Sequence, residues 1–248
     1  MSQVAIVTGA TSGIGAAIAS QLVREEYRVF NFDLKLPEVD QPGVTSIACD
    51  VSNEEAVNLA YAKVKELAGP ANVLVNNCGL QFMSPIEDFP KEKWDLLIGV
   101  LLTGTFLCSK AVLADMKKNG HGRVINISSV HGKLASPFKA AYVAAKHGVL
   151  GFAKVMAMEG AEFGITVNTI CPGFVDTPLM RAQVESQMKL NNLSEQEVLN
   201  QVFLKAQNIK KLTDPSQVAE MVSFLVSEKA STITGEAFNI SGGWGMGL

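Results

Sequence analysis

Short apolar runs alternate along the chain with stretches whose apolar residues recur every three or four positions. Residues 4–7 (VAIV) form a β-branched run, followed by glycines and by "AAIASQLVREE", where a helical period takes over. Residues 29–32 form a second run, and a loop over residues 34–43 leads to a third, "VTSIACD". The helix-period stretch "EEAVNLAYAKVKELA" precedes a short apolar run at residues 73–75. "GRVINISS" and "GITVNTICPG" read as two further strands, each entering a loop rich in Gly, Ser or Pro. "PSQVAEMVSFLVS" predicts a late amphipathic helix and "EAFNIS" a last strand. Strands that alternate with helices imply a parallel sheet covered on both faces, with right-handed crossovers. The expected fold class is therefore α/β, a doubly wound parallel sheet. No repeat, low-complexity tract or linker interrupts residues 1–248, which predicts a single domain. One segment departs from the alternation. Residues 177–212 are polar, rich in Gln and Met, and helical in tendency, the pattern of a helical lid over a substrate.

Composition narrows the classes of function. The 248 residues are 48% hydrophobic and 18% charged, enough for a substantial core. A net charge of −3 offers no electrostatic attraction to nucleic acid or to an acidic membrane surface. Cys49, Cys78, Cys108 and Cys171 stand apart in apolar surroundings without CxxC spacing, as reduced thiols in the cytoplasm would. Three scattered histidines outside any Cys or carboxylate cluster predict no catalytic metal. The opening "MSQVAIVTGA" lacks the features of a signal peptide. The uncharged stretch at residues 96–109 falls short of the roughly 20 residues a membrane span needs, so a buried or interface helix is expected there.

"VAIVTGATSGIGAAIA" reads strand, glycine turn, helix. Gly9, Gly13 and Gly15, with Thr11, Ser12 and Ile14 between them, would let backbone amides approach a pyrophosphate at a helix N-terminus. Asp33 ends the second strand about 20 residues further on, where a carboxylate accepts from a ribose hydroxyl and repels a 2′-phosphate. The turn contains no Arg, and Lys35 is the one nearby cation, so the sequence favours NAD over NADP. Asp50 and Val51 end the third strand, beside the expected adenine. Asn77, Cys78 and Gly79 end the fourth, beside the ribose.

Tyr142 and Lys146 stand one helical turn apart on a shared face. A nearby ammonium favours the phenolate and would pull Tyr142 below the usual phenol pKa of about 10. Ser129 could hydrogen-bond the same substrate oxygen. With TGATSGIG, NNCG, Ser129, Tyr142-x-x-x-Lys146 and CPG in this order, the chain resembles the short-chain dehydrogenase/reductases over nearly its whole length. The resemblance implies a Rossmann-type fold and hydride transfer with a nicotinamide cofactor, with Ser129, Tyr142 and Lys146 as catalytic residues. It further implies that Lys146 holds the nicotinamide ribose, that Pro172 and Gly173 flank the nicotinamide, that Thr177 binds its carboxamide, and that Val175 is also a cofactor-binding residue.

One departure from the family pattern stands in "VLLTGTF", where Leu101 replaces an Asn thought to hold a water linking the lysine to solvent. Leucine offers neither donor nor acceptor, so the relay would be rerouted, slowed or disabled. Gln81, His131, Lys139 and Gln183, with Phe174 in place of a common Trp, resemble the substrate set of bacterial D-3-hydroxybutyrate dehydrogenases. That set implies a small anionic hydroxy-acid or keto-acid substrate whose carboxylate is held by a cation and several donors, Gln183 arriving when the lid closes. Another small alcohol, polyol or 3-oxoacyl substrate is the alternative, as is a cofactor-binding protein with little turnover. The family resemblance also implies a homotetramer.

Overall fold

The computed structural model describes residues 3–39 and 41–247. Met1 and Ser2 of the opening run and Asp40 of the second loop lie outside it. Seven strands form one parallel sheet: β1 (Val4–Thr8), β2 (Arg28–Asp33), β3 (Val44–Ala48), β4 (Val73–Asn76), β5 (Gly122–Ile127), β6 (Ile165–Pro172) and β7 (Ala237–Ile240). Their order across the sheet is β3-β2-β1-β4-β5-β6-β7. The helices are α1 (Gly13–Arg24), α2 (Glu54–Ala68), α3 (Lys91–Ile98), α4 (Gly104–Asn119), α5 (Ala140–Gly160), α6 (Pro178–Asn191), α7 (Glu195–Val198) and α8 (Pro215–Val226). Rossmann-type doubly wound topology follows from the strand order and the helices on both faces.

Near-continuous apolar strands are what a doubly covered sheet demands, and successive side chains divide between two cores. Val4, Ile6, Phe30, Phe32 and Leu74 pack with α2, α4 and α5 through Val64, Val112 and Met156. Ala5, Val7, Val29, Val73 and Val75 face the other way, onto Ile18 and Leu22 of α1 and Val218 and Val222 of α8. Local signals set the helix starts. Asn53 caps α2 by accepting from the Ala56 N–H at 3.0 Å, and Asp214 and Gln217 form a capping box ahead of Pro215.

The stretch at residues 96–109 belongs to a longer helical rod than its apolar run suggests. α3 and α4 join through a π-helical turn, Gly99–Thr103, to span Lys91–Asn119. Among the described residues this is the one helix long and apolar enough to cross a membrane, at 29 residues and mean hydropathy 2.0 in its most apolar part. Its buried Leu107, Cys108, Val112 and Met116 pack against the sheet, which accounts for that apolarity within a folded core.

The expected lid at residues 177–212 is helical, built from α6, α7, a second π-helical turn (Leu199–Phe203) and a 3₁₀ turn (Leu204–Ala206). Met180, Val184, Val198 and Phe203 give it a small core of its own, against which Phe174 packs.

Candidate active site

Strand order reverses between β1 and β4, and an open α/β sheet receives ligands outside the carboxyl ends of such a pair. A cavity of about 390 Å³ occupies that crevice. Gly9 and Gly13 line it with left-handed backbone, at φ 68° and 57°. A Cβ on Gly9 would lie 3.1 Å from the Cα of Cys78, a tight contact that adds to the strain its φ would impose on any other residue. Ser12 caps α1 without a side-chain bond, leaving its hydroxyl and the unpaired amides of the first turn beside the cavity with Ile14. Asp33, Asp50, Val51, Asn77 and Gly79 complete the wall where the sequence placed them.

Several roles in this crevice differ from expectation. Gly15 does not line the cavity. A Cβ there would sit 2.2 Å from the Gly9 carbonyl oxygen and 2.5 Å from Asn77 Nδ2, so its glycine serves close packing of α1 on β1. Thr11 also lies off the wall. Its N–H donates to Asp33 Oδ2 at 3.4 Å and its hydroxyl accepts from Asn31 Nδ2 at 3.2 Å, ties that brace the turn. Asn77 uses its side-chain amide to donate to the carbonyls of Thr8 and Gly9, both at 3.0 Å, and so holds β1 to β4 beneath the crevice. Cys49, Leu80 and Val100 line the cavity although the sequence did not single them out for it.

A second cavity of about 140 Å³ opens from the first, sharing Ile14, Ser128, Tyr142, Thr177 and Leu179 with it. Gln81, Ser129, His131, Lys139, Phe174 and Gln183 all line it, and so do Pro172, Gly173 and Val175. Residues from four segments thus converge at one point. Gln183 already faces this cavity, so its placement needs no further closure of the lid. Thr177 caps α6 by accepting from the Met180 N–H at 3.2 Å, which leaves its hydroxyl proton to donate.

At the junction of the two cavities stand Ser129, Tyr142 and Lys146. Tyr142 lies on α5, and its hydroxyl is hydrogen-bonded with Ser129. Lys146, 4% exposed, donates from Nζ to the Ile127 carbonyl at 2.8 Å, and Nζ lies 5.8 Å above the centre of the Tyr142 ring. The expected depression of the Tyr142 pKa is not found. Burial raises it above the ordinary phenol value, the Ser129 bond opposing, and burial also lowers Lys146 to about 8. Desolvation penalises both charged forms and is the largest cause of both shifts.

His131 is neutral at physiological pH. Burial first, then the Lys139 charge, lower its pKa to about 4. Its Nε2 lies 2.8 Å from Ser136 Oγ, and its Nδ1 lies 3.4 Å from Ser129 Oγ. Lys139 is consequently the cation of the set, its own pKa lowered by burial.

Trp244, from the C-terminal tail, completes the inner cavity and was absent from the sequence-based set. Its ring stacks on Phe174 at 5.2 Å and 22° and meets His131 edge-on at 5.2 Å. Beyond Lys139 and Gln183 the site widens into an outer chamber of about 650 Å³, walled by Met83, Val202 and Phe203 with Phe174 and Trp244.

Leu101, in the π-helical turn, is 1% exposed and packs with Leu97, Ala141 and Ala145, against which Tyr142 also lies. Its carbonyl accepts from Thr105 Oγ1 at 2.9 Å. The side chain is therefore a piece of apolar packing beneath the catalytic helix.

A family model described as short chain dehydrogenase matches residues 3–188. D-beta-hydroxybutyrate dehydrogenase of Rhizobium meliloti is 41% identical, covering 98% of this chain and 99% of its own length. Acetoacetyl-CoA reductase of Shinella zoogloeoides is 38% identical, covering 98% of each. Among solved structures, a variant actinorhodin polyketide ketoreductase with NADPH superposes at a TM-score of 0.90 and 36% identity, over 99% of this chain and 98% of its own.

Proposed function

The chain belongs to the short-chain dehydrogenase family, and from that premise we propose that it is an NAD-dependent dehydrogenase interconverting D-3-hydroxybutyrate and acetoacetate. The observation that carries this reading is the convergence of Gln81, His131, Lys139 and Gln183 on one small cavity beside Ser129 and Tyr142. One cation and three neutral hydrogen-bonding side chains offset the desolvation of a single carboxylate. A cavity of about 140 Å³ suits a short acid.

The crevice residues fit a dinucleotide: two left-handed glycines, a helix start whose cap makes no side-chain bond and a carboxylate at the end of β2. A bound nicotinamide would supply the hydride acceptor for the alcohol. Asp33, with no arginine beside it in the turn, supports NAD. Ser129 holds the substrate oxygen while Tyr142 gives it the phenol proton in reduction and, once deprotonated to the phenolate, takes that proton from the alcohol in oxidation. Lys146, fixed by the Ile127 carbonyl, holds the ribose and lies above the phenol ring that must change charge. Positioned proton transfer of this kind is worth roughly 10² to 10⁴ in rate.

The outer chamber supports a second reading, a reductase of 3-oxoacyl thioesters whose arm leaves past Lys139. Formation of NADH across D- and L-3-hydroxybutyrate, short polyols and secondary alcohols separates the readings. The proposal expects the D-enantiomer to dominate, and no turnover of it would end the reading.

The same reading includes a cytoplasmic homotetramer. All four cysteines are free, which fits a reducing compartment. On the outward faces of α4 and α5, Phe106 (43% exposed), Val155 (54%) and Met158 (82%) leave an apolar surface that pairing of copies would cover. Light scattering at micromolar concentration should give four times the 26.5 kDa chain mass. A monomer would refute the assembly.

A further inference from the structure

Among the described residues, three other than glycine hold a left-handed backbone: Glu26 (φ 65°), Phe138 (68°) and Asn192 (51°). Glu26 and Asn192 follow the last turns of α1 and α6, where such a residue commonly ends a helix. Phe138 closes no helix. It stands two residues ahead of α5, and a bulky aromatic avoids this region because its Cβ crowds the neighbouring carbonyl oxygen. Burial of the ring does not account for the conformation either, since Phe138 is 54% exposed.

What the reversed backbone does is orient its neighbours. The Phe138 carbonyl accepts from the Ser84 N–H at 3.0 Å, tying the segment that carries Gln81 to the loop that carries Lys139. Two residues earlier, Ser136 meets His131 Nε2. Lys139 follows as the residue capping α5, its carbonyl accepting from the Val143 N–H at 2.9 Å and its side chain lining the inner cavity. A right-handed Phe138 would turn its carbonyl away from Ser84 and swing Lys139 with it. Backbone strain that persists beside a binding site is held there by the surroundings that need it.

We propose that Phe138 is a positioning residue for anion recognition, acting through its left-handed backbone to turn Lys139 into the cavity and to fix it against the Gln81 segment. The inference rests on the hydroxy-acid reading in taking the anion to be the substrate's carboxylate. Two substitutions in the full-length enzyme separate backbone from ring. Phe138→Val, branched at Cβ, resists the left-handed region, whereas Phe138→Asn tolerates it and lacks the ring.

Loss of one charge-assisted contact should raise the KM of Phe138→Val for 3-hydroxybutyrate about tenfold or more, with kcat and the KM for NAD within about twofold. Phe138→Asn should match the wild type. Acylation of Lys139 by acetic anhydride, followed by mass spectrometry, should run several-fold faster in Phe138→Val than in the other two proteins. Should Phe138→Val fail to fold, Phe138→Ala carries the same comparison with a smaller expected change in both measurements. Equal damage from Asn and Val would assign the effect to the ring and overturn the proposal, as would equal Lys139 reactivity in all variants. A wild type that does not oxidise 3-hydroxybutyrate would defeat the substrate reading, while the labelling comparison would still decide the role of Phe138.

Discussion

Replacing Lys139 by alanine removes the one cation from the inner cavity and leaves Gln81, His131 and Gln183 as neutral partners for a carboxylate. Burial lowers the Lys139 pKa, and among the described residues no carboxylate lines the inner cavity to offset it. A bound substrate would supply one. Hydrogen bonds to charged groups contribute about 1.5 to 3 kcal/mol each. At tenfold per 1.4 kcal/mol, kcat/KM for D-3-hydroxybutyrate should fall roughly 10- to 150-fold in Lys139→Ala. Initial rates of NADH appearance, measured with the hydroxy acid and with an uncharged secondary alcohol of similar size, check the origin of that loss. The uncharged alcohol should lose far less, because it never used the ammonium. In the wild type, KM for the acid should also rise at alkaline pH, beginning below the 10.5 of an ordinary lysine, because the depressed pKa releases the proton early. Equal losses on both substrates would mean that Lys139 supports the fold or the cofactor, and the carboxylate argument would fail.

Three further perturbations test other parts of the site. Asp33→Ala should weaken NAD binding and relieve exclusion of NADP, read as a change in the ratio of kcat/KM for the two cofactors; an unchanged ratio would remove Asp33 from cofactor choice. Burial lowers Lys146 from 10.5 to about 8, so between those pH values the unfolded chain binds a proton that the folded one does not. The Lys146 contribution to the stability of the cofactor-free protein should therefore grow by about 3 kcal/mol as pH rises from about 8 to 10.5, while the buried thiols of Cys49, Cys78, Cys108 and Cys171, whose pKa values burial raises, pull the other way above about 9. The stability difference between the wild type and Lys146→Met isolates it; a difference that does not change between those pH values would contradict the shift. Leu101→Asn should destabilise by about 2 to 5 kcal/mol without raising kcat, because Leu97, Ala141 and Ala145 offer the new amide no partner; a raised kcat would show that a proton route had been restored.

Where structure follows from short-range pattern, the sequence was readable. The central strands β1, β2, β4 and β6 showed as apolar runs and α1, α2 and α8 as amphipathic periods, because each is buried along its length or on one face, whereas the edge strands β3 and β7 are partly exposed and carry a weaker pattern. Glycine spacing and the Tyr142–Lys146 interval placed the two halves of the site for the same local reason. The unreadable features depend on distance in space. Trp244 enters because Gly242, Gly243 and Gly245 fold the tail back with left-handed backbone, and "GGWG", an aromatic between glycines, was the available signal. The π-helical turn at Gly99–Thr103 has no local period of its own. Thr11 and Gly15 showed the right turn but not that their atoms brace it from behind. The Tyr142 shift went the other way because an i,i+4 interval reports proximity and says nothing of burial.

Recognition of a free carboxylate together with use of NAD is decided by measuring kcat/KM on one enzyme preparation for D-3-hydroxybutyrate oxidation with NAD, and for reduction of an acetoacetyl thioester with NADPH. The expected result is rapid turnover of the hydroxy acid with NAD, and much slower turnover with NADP or of the thioester. Efficient thioester reduction with NADPH, alongside little or no oxidation of the free acid, would contradict it.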